Sequence, residues 1–148
     1  MKILTRAAAL LLAIVVLTTG CSSFERAWRN SPAESTGIAG RWQGSWKSAR
    51  SGDSGKLRAI ITRQSAAHYT ARFHATYHSV LSAVYSVTLD VTQRGPRSEF
   101  RGAANLGVWG QYETTGHATR TQFYATYQSK FDDGTFEMQR VSEERSVQ

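Results

Sequence analysis

From Gly40 onward hydrophobic and polar residues alternate with a period of two, and turn signals arrive about every ten residues. This pattern predicts eight strands: Arg41–Ala49, Lys56–Arg63, His68–Tyr77, Val84–Gln93, Glu99–Asn105, Val108–Thr114, Thr119–Lys130 and Thr135–Val141. The first two are joined by a turn over Ser51, Gly52, Asp53, Ser54 and Gly55. Arg94, Gly95, Pro96 and Arg97 lead into the fifth, and Asp132, Asp133 and Gly134 give the clearest hairpin signal. Alternation assigns an inward set: Leu57, Ala59 and Ile61; Tyr69, Ala71, Phe73, Ala75 and Tyr77; Tyr85, Val87, Leu89 and Val91; Phe100, Gly102 and Ala104; Phe123, Ala125 and Tyr127. The opposite face carries Arg58, Thr62, His68, Thr70, Arg72, His74, Thr76, Ser86, Thr88, Asp90, Gln122 and Gln128, as in antiparallel sheets wetted on one side. The fold class is therefore all-β. An even-numbered meander with short loops favours a single small antiparallel up-and-down barrel, which leaves no exposed sheet edge.

A faint repeat agrees with this. Residues 73–79 (FHATYHS) match residues 123–129 (FYATYQS) at five of seven positions. They fall on the third and seventh strands, which stand opposite each other in an eight-stranded barrel. Duplication and convergence under one packing constraint account for the match equally well.

Upstream of Gly40 the alternation stops. Lys2 and Arg6 precede an unbroken apolar run, residues 7–17 (AAALLLAIVVL), too short to span a bilayer and of the right length for an export signal. Leu17, Thr18, Thr19, Gly20 and Cys21 follow, and this order of parts resembles the lipobox of bacterial lipoproteins. Thr18 departs from the Leu usual at its position. The resemblance implies a signal peptide over residues 1–20, a diacylglyceryl group on the Cys21 thiol, and a membrane anchor of several acyl chains, each buried methylene contributing about 0.8 kcal/mol. With Ser22 after the cysteine it also implies the cell envelope, at the outer membrane facing the periplasm. Residues 21–39 read as the lipidated cysteine and a flexible tether, residues 40–141 as the barrel domain, and residues 142–148 as a tail. Phe24 and Trp28 are four apart, so a helical turn or two after Cys21 would lay an aromatic face on the bilayer. A disordered tether fits the same residues.

Composition narrows the picture further. Hydrophobic residues make 41% and charged residues 20% of the chain, ordinary values for one folded domain of modest size. Cys21 is the only cysteine, so no internal disulfide is available and stability rests on packing. Net charge is +7; loss of Lys2 and Arg6 with the signal leaves a basic chain, suited to anionic surfaces.

Gly40, Arg41 and Trp42 at the start of the first strand, followed by an eight-stranded meander, resemble the lipocalins and their calycin relatives. That resemblance implies a Gly-x-Trp opening at Gly40 and Trp42, with Arg140 from the last strand packing on Trp42 at the closed end. Such a cation over an indole contributes about 0.5–2 kcal/mol.

Searches for reactive chemistry give little. Residues 52–55 (GDSG) and 66–68 (AAH) match protease fragments in letters only. The serine precedes the histidine, and one domain of this size cannot supply the remaining partner. His74 and His78 stand roughly 13 Å apart on a strand, too far to share an ion. No enzyme, metal or cofactor is expected, and export argues against nucleic acid as a partner. Tyr69, Phe73, Tyr77, Tyr85, Phe100, Phe123 and Tyr127, with Trp109 and Tyr112 near the mouth, form either a dry core or the lining of a lumen for one slim apolar or amphipathic ligand. Two roles follow. One is a lipid-anchored carrier of a small molecule; the other is a solid, non-enzymatic barrel that meets a protein partner or the anionic membrane through its surface.

Overall fold

The computed structural model describes residues 21–32 and 36–142. The signal segment 1–20, with its basic start and apolar run, lies outside them, as do residues 33–35 and all but the first residue of the expected tail.

Eight antiparallel strands form the domain: β1 (Gly40–Ser48), β2 (Ser54–Arg63), β3 (His68–Tyr77), β4 (Leu81–Arg94), β5 (Arg97–Asn105), β6 (Gln111–Ala118), β7 (Gln122–Ser129) and β8 (Asp133–Arg140). Each pairs with the next, and β8 returns to β1 in a register from Trp42↔Arg140 to Ser48↔Gly134. The result is a closed, lipocalin-like up-and-down barrel. All eight expected strands are present, with local shifts. The first turn is tighter, because Ser54 and Gly55 already pair with Lys47 and Trp46. Strand β4 starts at Leu81 rather than Val84, extended by pairing with β3. The sixth strand moves most. Val108 belongs to a 3₁₀ turn, Gly107–Trp109, flanked by Gly107 and Gly110 at φ +64° and +74°, and β6 then runs on to Ala118.

The inward set of β2, β3, β4, β5 and β7 supplies most of the buried cluster, and Trp42, Tyr112, Phe136 and Met138 join it from β1, β6 and β8. Tyr77 is the exception: it sits at the rim, its hydroxyl donating to Asp53 Oδ2 at 3.0 Å and its ring stacked on Trp46. His78, weighed with His74 as if both stood on one strand, lies in the turn beyond β3.

Because the meander alternates direction, the connections over 49–53, 78–80, 106–110 and 130–132 share one rim. Those over 64–67, 95–96 and 119–121 share the other. Ser54 and His68, the pair with protease-like neighbours, are thereby at opposite ends of the barrel.

Residues 21–30 form a helix, α1. Its aromatic face is turned to the barrel, not to a bilayer, and Phe24 is fully buried against the outer wall. The reason is local: β1, β2 and β3 present Arg41, Arg58 and Arg72 outward, and the aromatic rings find these cations.

Candidate functional site

Two places concentrate unusual side chains. The first is the lumen. At its closed end Trp42 donates from Nε1 to Ile38 O at 2.9 Å, and Arg140 Cζ lies 4.3 Å from the Trp42 ring centroid. Arg140 also donates to Ala39 O and Arg120 O, both at 2.6 Å, tying β8 to the entry segment and to the β6–β7 turn. Gly40 starts β1 at φ +123°, which only glycine adopts without strain.

From there aromatic rings line the interior in two groups, each in mutual contact. Trp42 meets Phe123 (5.6 Å between ring centroids), and Phe123 stacks on Phe100 (4.8 Å). Farther up, Phe73 contacts Tyr85 (5.4 Å) and Phe136 (5.5 Å), Phe136 stacks on Tyr127 (4.8 Å), and Tyr112 touches Tyr85 (5.4 Å) and Tyr127 (6.2 Å). These spacings are those of rings in contact. Of the candidate lining residues, Phe73, Tyr85, Phe100, Tyr112, Phe123 and Tyr127 are thus brought together, packed on one another. Tyr69 is buried on the same inner wall. Tyr77 is at the rim, and Trp109 contributes its backbone to the 3₁₀ turn there.

The upper lumen carries hydroxyls. Tyr127 donates to Asp132 Oδ2 at 2.8 Å, and Ser48 Oγ donates to Asp132 Oδ1 at 2.6 Å. Among the described residues the buried Tyr112 hydroxyl makes no well-formed hydrogen bond, although the Tyr85 and Thr114 hydroxyls are close enough to act on it. Burial holds the Tyr85, Tyr112 and Tyr127 hydroxyls well above their ordinary pKa, with Asp132 adding to the effect at Tyr127.

The second place is the α1 seat, which sequence reasoning missed. Phe24 stacks on His74 (5.1 Å) and on Trp28 (6.0 Å). The Arg58 guanidinium lies 5.2 Å from the Phe24 centroid and 5.1 Å from that of Trp28; Arg72 covers Phe24 and Arg41 covers Trp28. Arg58 also pairs with Glu25, holding that carboxyl below its usual range, while burial and the nearby Arg58 push His74 down. The signal was the recurrence of Arg on alternate outward positions of neighbouring strands, which reads as a solvated face until a ring is placed over it. Cys21, at the start of α1, has its Sγ 3.1 Å from Ser82 Oγ.

Among the described residues no three His, Cys, Asp or Glu side chains converge as metal ligands would. His68 is engaged by Asp90 at 2.7 Å and His74 by α1.

The class defined by this geometry is a lipocalin-like eight-stranded up-and-down barrel. No protein-family model matches the chain, and the search of curated proteins gives no match. Among solved structures, a mutant of the fluorescent protein UnaG is similar, with a TM-score of 0.39 and 8% identity over 72% of this chain and 97% of that one.

Proposed function

We propose that the protein is a lipid-anchored component of the bacterial envelope whose barrel is a solid, non-catalytic body working through its surface. The observation that favours this over the carrier role is the packing of the inward aromatic rings on one another in two groups, as expected where an eight-stranded barrel is just wide enough for its own residues. The anchor follows from the lipobox-like residues ending at Cys21. The protein purified from bacterial membranes tests both parts. Its intact mass is expected to show acyl groups that disappear in Cys21→Ser, and solvent extraction is expected to release no stoichiometric apolar ligand. A stoichiometric fatty acid or other apolar adduct would sink the solid-barrel reading.

One observation favours the carrier instead. The Tyr112 hydroxyl, buried beside those of Tyr85 and Thr114 without a well-formed hydrogen bond, is a polar group that a ligand atom could satisfy in the upper lumen. The same extraction decides between them.

A further inference from the structure

Among the described residues the four most exposed large hydrophobic side chains are Val80 (82% exposed), Leu81 (61%), Val108 (87%) and Phe131 (54%), in or directly beside three connections, β3–β4, β5–β6 and β7–β8; Tyr77 and Tyr124 follow at 37% each, Tyr77 at the same rim and Tyr124 on the outer wall of β7. The alternating direction of the strands puts all three on one rim. The connections of the other rim carry none of these residues. That end instead gathers Arg63, Arg94, Arg97 and Arg120, a polar and basic surface.

The β3–β4 hairpin is also the most prominent feature of the apolar rim. Leu81–Val87 of β4 pair with β3 alone, since pairing with β5 starts at Thr88. Its tip therefore extends beyond β5, held on the β1–β2 side by Trp46 and Asp53, and bears Val80 and Leu81. The sulfur of Cys21 touches Ser82 in this same hairpin, one residue pair from its end at Tyr77↔Leu81. The chain outside the structure, with its apolar run, joins at that point.

We infer that this rim is seated on the lipid bilayer, with Val80, Leu81, Val108 and Phe131 dipping into the headgroup region beside the anchor at Cys21. The inference deepens the anchored reading proposed above and rests on it for the occupant. Membrane is favoured over a protein partner because the anchor emerges at the apolar rim, within two residues of Val80 by way of Ser82. Aliphatic and aromatic tips raised on hairpins suit an interface that is apolar beneath and polar above. An acyl anchor alone leaves a barrel free to tumble; with the rim engaged, the molecule stands upright and presents its basic end away from the lipid.

The test uses the full chain, extracted from bacterial membranes and reconstituted into phosphatidylethanolamine–phosphatidylglycerol vesicles. Val80→Cys, Val108→Cys and Thr121→Cys are each labelled with an environment-sensitive fluorophore; the first two mark the apolar rim and the third the basic end. All three positions are in exposed connections, so the core is untouched. Lipids carrying a quencher just below the headgroup are expected to cause a several-fold loss of emission at Val80→Cys and Val108→Cys and none at Thr121→Cys. Rim labels no more quenched than the Thr121→Cys label overturn the inference. So does quenching at the basic end instead, or rim labels shielded from a water-soluble quencher yet untouched by the lipid one, which would assign the rim to a protein surface. Intact mass judges the acyl group at Cys21 separately. If it is absent, the anchored reading fails, and the same labels on a Cys21→Ser background mixed with vesicles still decide whether the rim meets lipid.

Discussion

Arg140 shows how much one side chain can hold at a barrel's closed end. Its guanidinium lies over Trp42 and donates to backbone carbonyls of two other segments, at Ala39 and Arg120. Hydrogen bonds from a charged group contribute about 1.5–3 kcal/mol when well made, and the partial exposure of Arg140 lowers that figure. We expect Arg140→Ala to lose about 1–3 kcal/mol in denaturant unfolding, and Arg140→Lys to recover little of it, because an ammonium cannot cover the indole and reach both carbonyls at once. Tyr112 offers the opposite case. Its buried hydroxyl makes no well-formed hydrogen bond to its neighbours Tyr85 and Thr114, so Tyr112→Phe is expected to change unfolding stability by less than about 1 kcal/mol. A larger loss would mean that the hydroxyl is well bonded in solution.

At the scale of elements, α1 and its seat behave as a unit separate from the barrel. Phe24 is fully buried, yet beyond its stack on Trp28 within α1 the ring contacts it makes are with the outer wall, so Phe24→Ala is expected to abolish hydrogen-exchange protection in residues 21–30 while the barrel's melting temperature barely moves. The seat should also respond to acid. His74 has its pKa pushed below its ordinary 6.5, first by burial, to which α1 contributes, and then by Arg58, which stays beside it in either state; the burial part makes the undocked state take up a proton below pH 6.5 that the docked state refuses. Docking is therefore at full strength above pH 6.5 and weakens as pH falls below it. Glu25, depressed below its ordinary 4.5 by Arg58, adds a second loss in the same direction at lower pH. Trp28 fluorescence followed on acidification, in wild type and in His74→Gln, is expected to show the first step only in wild type. The β3–β4 turn carries a different tension: His78 and Ser79, the central residues of the turn closed by the Val80 N–H on Tyr77 O at 3.3 Å, both sit at positive φ, 48° and 62°, and neither is glycine. Ser79→Gly is expected to stabilise the chain by about 1 kcal/mol in thermal or denaturant unfolding, within the range by which the left-handed conformation penalises a side chain.

The whole molecule clarifies which of these features a sequence can announce. Strand number, order and most of the inward set were legible because period-two alternation is a local signal, repeated in β2, β3, β4, β5 and β7. Strand β1 was harder, since Gly44 interrupts its inward face between Trp42 and Trp46, and β6 was misplaced because the two glycines around Val108 form a turn that composition alone does not distinguish from a strand start. The α1 seat and the gathering of Val80, Val108 and Phe131 on one rim were not legible at all. Both depend on how distant segments are brought together. Ring closure is the extreme case of such dependence, and Gly44 is where it can be tested. A Cβ built on Gly44 would lie 2.0 Å from Glu137 O and 2.7 Å from Met138 Cα, so the β1–β8 seam admits only glycine at that point without moving backbone. Both strands are locked, β1 by Trp42 on Arg140 and β8 by Phe136 and Met138 in the core, so neither can shift outward freely. Overpacking of this kind costs about 1–3 kcal/mol where the structure can adjust and more where it cannot. Gly44→Ala is therefore expected to lower the unfolding midpoint, and Gly44→Val to do so far more, with the loss of hydrogen-exchange protection starting in β1 and β8. Substitution at Gly52, where an added Cβ meets nothing within 4 Å, would strain its turn through φ +78° and leave the seam protected. A Gly44→Val chain as stable as wild type would show that the barrel is not closed through this register.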